Sequence, residues 1–210
     1  MSSRKELRTD RLLLRRWQPT DRPAFADLNA DLRVMEHFPR VLTPAESDEL
    51  VDRIEQHFNE YGFGLWAVEV PGITQFAGFV GLATPRFEAH FTPCVEVGWR
   101  LAVEHWGSGY ATEGARAAVA FGFEKLGLDE IVSFTVPENH RSRSVMERIG
   151  MAHNPADDFD HPGVPERLRR HVLYRIAGAR PAKKRLQPSG QRHLMGPGKG
   201  AELGRTDDFC

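Results

Sequence analysis

Residues 94–126 are predicted to form a strand, a loop with two glycines and a helix in direct succession, and this arrangement constrains the fold more than any other feature. We predict the strand over 94–101 and the helix over 111–126, with Gly107 and Gly109 between them. Glycine allows sharp turns and a close approach of the backbone to a ligand. The first N–H groups of the helix and its dipole favour an anion at the same place. The segment therefore predicts a site for a phosphate or pyrophosphate group.

The loop lacks the features of two common nucleotide-binding motifs. It contains no Gly-Lys-Ser/Thr, and Thr112 stands where a dinucleotide-binding motif has its third glycine. A bare Gly-x-Gly also occurs in plain tight turns, so that alternative stays open. Gly98 within the preceding strand predicts a bulge or an unpaired backbone edge, which would offer N–H and C=O groups to an extended amide ligand such as pantetheine. A local packing requirement would also explain Gly98.

The remaining segments complete an order of elements that predicts an α+β fold (a mixed-sheet α/β domain). We predict strands at 12–17, 64–70, 76–83, 130–136 and 169–176, and helices at 19–29, from 44 onward and at 140–149. Thr43, Pro44 and Glu46 have the pattern of a capping box with proline at the first helical position. Antiparallel strands followed by a β–α–β–α unit indicate one domain with a mixed sheet.

Charge divides the 210 residues into two unlike parts. The whole chain has 28 Lys and Arg and 29 Asp and Glu, a balance that gives no support to a strongly electrostatic binder of nucleic acid or membranes. Residues 178–210 carry a net charge of +4 with six glycines and three prolines, so we predict a disordered tail there. The folded domain is expected at residues 8–177.

Cysteine usage and hydropathy bear on where the protein works. Cys94 falls in a predicted strand and Cys210 at the chain end, so a structural disulfide is not expected and a reducing compartment fits better. The chain has no apolar run long enough to span a bilayer, and its first residues lack the apolar core of a signal peptide. We therefore expect a cytoplasmic location. The nine histidines show no metal-ligand spacing, so no metal is expected.

Two separated blocks resemble the GNAT family of acyl-CoA N-acyltransferases, most closely its RimJ/RimL-type branch. The first block runs from Glu96-Val97-Gly98-Trp99-Arg100-Leu101 to Trp106-Gly107-Ser108-Gly109-Tyr110-Ala111-Thr112-Glu113. The second is Asn139-His140-Arg141-Ser142-Arg143-Ser144-Val145-Met146-Glu147-Arg148-Ile149-Gly150-Met151. The resemblance implies a single GNAT-like domain, in which a mostly antiparallel sheet with a splayed strand pair is flanked by helices. It also implies acetyl-CoA as the co-substrate.

The resemblance assigns the acetyl-CoA site to the first block and to Asn139. The loop N–H groups would hold the pyrophosphate, the strand backbone would pair with pantetheine, and Asn139 would bond the CoA arm. The residues implied are Val97, Trp99, Leu101, Trp106, Gly107, Ser108, Gly109, Tyr110, Ala111, Thr112 and Asn139. Two positions depart from the family pattern. Glu104 replaces a Gln or Arg before the loop, which leaves the pyrophosphate to backbone amides, and Met146 replaces a tyrosine that protonates the leaving thiolate in many members.

The chemistry of acyl transfer suggests two catalytic candidates. Most of a free amine is protonated at neutral pH, so a base is useful, and the departing thiolate needs a proton. Glu96 is the base candidate, because a carboxylate in a mostly apolar strand is disfavoured in its charged form; a solvent-facing or salt-bridged glutamate is the alternative. Ser142, in the first turn of the helix after Asn139, is the acid candidate, and an ordinary helix-start serine is the alternative.

The acceptor side is expected at the loop 154–166, where several carboxylates beside an aromatic residue would attract a cationic amine. The candidates are Asp158, Asp160 and His161 with Asp157 and Phe159, and Trp17, His37, Phe38 and Trp66 as aromatic lining. A solvated acidic loop and plain core packing are the respective alternatives.

The predicted function is transfer of an acetyl group from acetyl-CoA to a primary amine, either a protein N-terminus or a small molecule. A CoA-binding sensor module that has lost catalysis is the alternative. A third hypothesis gives the tail, with Lys183-Lys184-Arg185, an added role as an arm for an anionic partner. No membrane or nucleic-acid partner is expected for the domain, and the oligomeric state stays open between a monomer and a homodimer.

Overall fold

The computed structural model describes residues 6–178. The predicted tail and Cys210 lie outside the described residues, apart from Gly178. The helices are α1 (Arg22–Ala30), α2 (Pro44–Tyr61), α3 (Tyr110–Lys125) and α4 (His140–Arg148). The strands are β1 (Leu7–Arg8), β2 (Leu13–Arg15), β3 (Leu65–Val70), β4 (Thr74–Ala83), β5 (Glu96–Leu101), β6 (Glu130–Thr135), β7 (Ala152–His153), β8 (Phe159–Asp160) and β9 (Arg170–Ala177). Single turns of 3-10 helix lie at Pro19–Asp21, Val103–His105, Pro155–Asp157 and Glu166–Leu168.

The strands form one mixed sheet in the order β1-β2-β3-β4-β5-β6-β9-β7, with β8 paired to β9. Neighbours are antiparallel except β5 and β6, which run parallel and match at one position, Glu96 opposite Val132. One further bond joins them, from the Val132 N–H to the Val95 carbonyl at 3.0 Å. Beyond Glu96 the two strands separate. The predicted mixed sheet with a splayed strand pair is therefore confirmed.

Helix α3 lies close against the sheet because two of its residues are glycines. A Cβ at Gly122 would come within 2.7 Å of the Ile131 side chain, and one at Gly114 within 3.2 Å of Val80. Val80 pairs with Trp66 and Trp99 in the register, so α3 packs on the face of the sheet that carries these side chains. The opposite face carries Phe79, whose ring contacts Phe25 of α1. This packing places the first turn of α3 beside the end of β5.

The helix ends follow the predicted local chemistry. The Thr43 hydroxyl accepts from the Glu46 N–H and the Glu46 carboxylate accepts from the Thr43 N–H, which is the expected capping box. Asn139 caps α4 by accepting from the Ser142 N–H at 3.1 Å. Gly127 follows α3 with a φ of 69°, which is typical of a residue that ends a helix.

The structure adds detail that the sequence pattern did not show. The short strands β1, β7 and β8 were not predicted. Gly98 pairs regularly with Gly81, so it forms no bulge, and a register shift occurs instead between Val68 and Val70. Of the two expectations for Gly98, the unpaired edge is the one observed. No helix among residues 6–178 is both long and apolar enough to cross a membrane.

The core has two parts. The larger one joins the helices to β2–β5, and a smaller cluster consists of Phe87, Val132, Phe134, Phe159 and Leu173. Cys94 packs at the edge of the smaller cluster, where burial, with a further contribution from Glu96, raises the pKa of its thiol to about 12. At neutral pH this thiol is protonated, because its pKa lies far above that value.

Candidate functional site

A cavity of about 1270 Å³ opens where β5 and β6 diverge. The loop before α3 and the start of α4 line one side of it. The opposite side is formed by the segment around His37 and Phe38 and by Leu168 and His171. We call these the α3 side and the α1 side, because Arg100 of β5 reaches from the cavity to Asn29 of α1, donating at 2.7 Å. Glu96, at the apex of the splay, lines the cavity between them and is 3% exposed.

The free edge of β5 can pair with an extended ligand. Past Glu96 this edge is not paired to β6, so backbone N–H and C=O groups between Val97 and Leu101 face the cavity. Trp99 and Leu101 line the cavity, whereas the Val97 side chain is fully buried in the core. An extended ligand along β5 would therefore meet the strand's backbone and not the Val97 side chain.

The glycine loop before α3 forms an open cradle. Gly107 and Gly109 have φ values of 75° and 83°, and Gly109 is the N-cap of α3. Both glycines line the cavity, as do Trp106, Tyr110, Ala111 and Thr112. The first N–H groups of the helix therefore lie where an anion would be favoured. Ser108 does not line the cavity; its carbonyl accepts from Arg11 at 2.9 Å.

Arg11 holds this loop and the first turn of α3 together. Its guanidinium bonds Glu113 at 2.7 Å, and its backbone N–H donates to the same carboxylate at 2.9 Å. The Thr9 hydroxyl donates to Glu113 at 2.6 Å. Burial raises the pKa of Glu113, but the hydrogen bonds from Thr9 and Arg11 outweigh burial, so the pKa lies below its usual value. The carboxylate therefore stays charged and serves as an anchor for Arg11 rather than a proton donor.

Cationic side chains line the α3 side, and sequence reasoning missed them. Arg11, Arg116, Arg141 and Arg148 all border the cavity. The Arg141 guanidinium lies 4.5 Å from the centre of the Trp106 ring, and Arg116 donates to the Arg148 carbonyl at 2.7 Å. An anionic ligand would therefore meet arginines as well as backbone amides. Arg141 and Arg148 stand in the second block, where they could have been noticed, but nothing near Arg11 in sequence connects it to the loop.

The start of α4 brings Asn139, Ser142 and Met146 to the cavity. The Asn139 side chain accepts from the Ser142 N–H and donates to the Thr135 hydroxyl at 3.0 Å, which ties the helix to the end of β6. Ser142 is partly exposed, whereas Met146 is buried. The Ser142 hydroxyl is thus a group from which a proton can be delivered into the cavity.

The α1 side contains a second group of residues, of which the sequence suggests only His37 and Phe38 for the acceptor side. Arg100 is buried, and its guanidinium lies 4.0 Å from the centre of the Phe38 ring. Asn29, which accepts from Arg100, donates in turn to the Ser47 hydroxyl at 2.9 Å. Phe38 and His37 line the cavity, and their part in binding the acceptor stays a prediction. Phe134, Leu168 and His171 join them there. Ser133 also lines the cavity, but it alternates with Phe134 along β6 and so lies on the α3 face of the sheet.

Seven of the residues proposed for the acceptor side lie outside this lining, namely Trp17, Trp66, Asp157, Asp158, Phe159, Asp160 and His161. Trp17 is buried against Phe25 and donates to the Leu65 carbonyl at 2.8 Å, and Trp66 is fully buried in the core.

The other five lie between β7 and β9. Asp157 accepts from Arg175 at 2.9 Å, and Phe159 is buried in the smaller core cluster. Asp158 bonds His153 at 2.7 Å, and Asp160 lies 3.4 Å from Arg170. His161 packs on Phe87, with 4.3 Å between ring centres. The acidic side chains of this loop are therefore engaged with neighbouring basic groups, and the structure does not bring them into the cavity. No group of three His, Cys, Asp or Glu residues within 6–178 is arranged to hold a metal ion.

Taken together, the cavity can hold an extended amide along β5, an anion at the start of α3, and a reacting centre between Glu96 and Ser142. A buried carboxylate can accept a proton and a hydroxyl can supply one. This is the set of groups that acyl transfer needs.

Comparisons with known proteins agree with this geometry. Residues 11–152 match the family described as "Acetyltransferase (GNAT) domain". An uncharacterized protein of Bacillus subtilis, YkkB, is 31% identical over 152 residues, 72% of this chain and 87% of that protein. The FsC-acetyl coenzyme A-N(2)-transacetylase of Aspergillus fumigatus is 36% identical over 122 residues, which cover 54% of this chain and 51% of that enzyme.

A solved structure of similar fold is the acetyltransferase from Agrobacterium tumefaciens. It superimposes with a TM-score of 0.68 and 28% identity, over 84% of this chain and 96% of that one. The family match spans well over half of the chain and agrees with the resemblance of the two sequence blocks. The chain belongs to the GNAT acetyltransferase family and is an acyl-CoA-dependent acyltransferase.

Proposed function

We propose that this protein transfers the acetyl group of acetyl-CoA to a primary amine by direct attack of the amine on the thioester. The observation that carries the proposal is the splay between β5 and β6, which aligns a free strand edge, the cradle of α3 and the buried Glu96 in one cavity. The fungal relative is named for acetyl coenzyme A and for an N(2) position, which supports nitrogen as the acceptor atom.

The residues present fit CoA. The edge of β5 suits the amide-bearing pantetheine arm, and the open cradle at Gly107 and Gly109 suits the pyrophosphate. Arg141 and Arg148 add positive charge along the same side of the cavity. When bound, acetyl-CoA supplies the acetyl group as a thioester.

Glu96 would act as the base for the attacking nitrogen. It lies at the apex of the splay, where the end of a ligand paired along β5 would arrive, and it is almost completely buried. Its carboxylate is therefore placed to accept a proton from a nitrogen that attacks there.

Ser142 would protonate the departing sulfur. Its backbone is held by the Asn139 cap, so the hydroxyl is presented from a rigid first turn of α4. The buried Met146, one turn further along α4, has no proton to supply. Two hydroxyl groups of this helix border the cavity, those of Ser142 and Ser144, and Ser142 is the one in the first turn.

A screen of amines tests the proposal. Purified protein is incubated with acetyl-CoA and a panel of peptides with free N-termini, amino acid esters, polyamines and aminoglycosides, and thiol release and acetylated product are both measured. We expect turnover with at least one class. Glu96→Gln preserves the shape of the side chain, and we expect it to lower kcat about a hundredfold while CoA affinity is retained. Glu124→Gln, an exposed residue of α3 away from the cavity, is the matched control.

The same experiment distinguishes the acetyltransferase from the alternative, a CoA-binding sensor module. CoA binding in calorimetry without turnover of any amine would favour the sensor module, in which the cavity holds the cofactor but no longer passes on its acetyl group. Absence of CoA binding would contradict both the acetyltransferase and the sensor hypothesis.

A further inference from the structure

Two buried imidazoles lie beside each other on the α1 side of the sheet, and the mechanism above uses neither. The ring centres of His161 and His171 are 5.1 Å apart. His171, on β9, lines the cavity, whereas His161, after β8, does not. Both rings pack among aromatic side chains of the smaller core cluster, including Phe134 and Phe159.

Their hydrogen bonds determine where each neutral ring carries its proton. Nδ1 of His171 lies 3.2 Å from the Arg169 carbonyl, which can only accept, so Nδ1 is the protonated nitrogen and Nε2 has the lone pair. His161 has the opposite arrangement, because its Nδ1 accepts from the Gly163 N–H at 3.1 Å and the neutral ring then carries its proton on Nε2. His171 is therefore the imidazole with a basic Nε2.

The strand register places His171 on the same face of the sheet as Glu96. Glu96 is opposite Val132 in the parallel pair, and Val132 is opposite Arg175 in the antiparallel pair. Side chains directly opposite each other lie on one face of the sheet, and so do alternate residues along a strand. Arg175, Leu173 and His171 therefore lie on the same face as Glu96. Glu96 thus lies where β5 and β6 diverge, and His171 lies on β9, the strand on the other side of β6.

The stoichiometry of the reaction requires two proton transfers from the nitrogen. A primary ammonium ion has three N–H bonds, and the amide product has one. One of the two protons finishes on the sulfur of CoA and the other in solvent. An acceptor that enters as its ammonium form must therefore lose a proton before its nitrogen has a lone pair for attack.

Building on the acetyl transfer proposed above, we propose that Nε2 of His171 takes this first proton. The ammonium N–H bond breaks, its electron pair becomes the lone pair of the amine, and His171 becomes an imidazolium. The amine then forms the N–C bond while the C–S bond breaks, and Glu96 takes the second proton from the nitrogen. Ser142 protonates the departing sulfur, and the proton held by Glu96 passes through water to restore the serine hydroxyl, so that CoA leaves as its thiol. The imidazolium returns its proton to water at the cavity mouth. The charged or titratable groups around it are His161, whose ring packs against it, and Glu96, Arg100, Arg33 and His37, which line the cavity.

The test compares His171→Asn with His57→Asn. The asparagine amide can still donate to the Arg169 carbonyl but has no basic nitrogen in place of Nε2. His57 is an equally buried imidazole that also donates from Nδ1 to a carbonyl, that of Phe63 at 2.8 Å, and it does not line the cavity. The acceptor is the panel amine that the wild-type enzyme acetylates fastest, and kcat/KM is measured across the pH range in which both variants remain folded.

We expect His171→Asn to lower kcat/KM about a hundredfold at neutral pH. The loss should shrink tenfold for each pH unit as the assay approaches the pKa of the amine, because solvent then supplies the neutral nucleophile. A merely structural role would lower the rate equally at all pH values. His57→Asn should keep the wild-type profile. In ¹⁵N-histidine spectra, the resonances lost in His171→Asn should show a protonated Nδ1 and a bare Nε2 at alkaline pH.

The possible failures are distinguishable. A wild-type rate in His171→Asn, a deficit that does not change with pH, or an Nε2–H tautomer would overturn the role of His171 and leave the acetyl transfer intact. If the wild-type protein turns over none of the amines, the proposed function fails and this role fails with it.

Discussion

Gly109 adopts a backbone conformation that side chains rarely tolerate, and it does so at the place where an anion is expected. Its φ and ψ are 83° and 3°, and a Cβ would come within 3.3 Å of the Arg11 guanidinium. The residue has no side chain between the first N–H groups of α3 and the cavity. Its conformation and its position at the cavity therefore have to be tested separately.

We predict that Gly109→Asp abolishes measurable CoA binding in calorimetry, because its carboxylate would stand beside the pyrophosphate. The conformational penalty alone is expected to cost about 1 kcal/mol of unfolding free energy. Gly62→Asp is the matched control, since Gly62 ends α2 with nearly the same angles, φ 76° and ψ 4°, and has open space around it. The control should lose a similar amount of stability and keep its affinity. Equal affinity in both variants would contradict the cradle.

At the scale of elements, His57 joins the end of α2 to two other segments. Its Nδ1 donates to the Phe63 carbonyl at 2.8 Å and its Nε2 accepts from the Thr84 N–H at 3.1 Å. The bond from Thr84 requires the neutral ring, because Nε2 can accept only when it carries no proton. Burial lowers the pKa of His57 below its usual value. The helix, the start of β3 and the end of β4 are thus held by an imidazole that disfavours a proton.

This linkage predicts how stability depends on pH. Between the depressed pKa of the folded state and about 6.5 in the unfolded state, the unfolded chain binds more protons, so its population rises as the pH falls. The contribution of His57 is complete above about pH 6.5 and declines below it by at most about 1.4 kcal/mol per pH unit. Urea unfolding of the wild type and His57→Asn from pH 7.5 to 5 measures it. The difference in unfolding free energy between the two proteins should shrink as the pH falls. A constant difference would show that protonation of His57 does not cause the pH dependence.

At the scale of the whole molecule, residues 6–178 contain every part of the cavity described above. The last described residue, Gly178, is bonded through its N–H to the Asp129 carbonyl at 2.9 Å. We propose that the catalytic domain spans residues 8–177 and does not need the residues that follow. Changes that touch neither the core nor the site usually alter stability little.

We expect a chain that ends at Gly178 to retain the wild-type turnover and to unfold within about 2 °C of the full chain. Calorimetry and the amine assay on both proteins measure this. A large fall in turnover with an unchanged unfolding temperature would instead assign residues 179–210 a part in substrate binding, and a large fall in both would place the domain boundary further along the chain.

Local patterns predicted most elements because their causes are local. The capping box at Thr43, the Asn139 cap and the glycine after α3 depend on residues three or four positions apart, and each forms as expected. The short strands β7 and β8 escaped prediction because two residues carry no detectable alternation, and they form only because β9 lies beside them.

The candidate site shows the same difference between residues placed by local sequence and residues placed by the fold. Glu96, the glycine loop and Ser142 lie in two continuous blocks, and all of them reach the cavity. Trp17 and Trp66 were proposed from residue type alone, and the core takes them because large aromatic surfaces are stabilised by burial. Asp160 was proposed from local charge, but Arg170 lies opposite it in the β8–β9 pair.

The sequence by itself determined the family, the order of elements and the backbone features of the cradle, since these depend on short-range patterns. Only the tertiary structure decided which distant side chains share the cavity. Arg11 reaches the start of α3 from about a hundred positions away in sequence, and Asn29 meets Arg100 across 71 positions. His171 reaches the same cavity as Glu96 because β6 pairs with β5 on one edge and with β9 on the other. Strand pairing of this kind depends on the fold of the whole chain, and no local pattern encodes it.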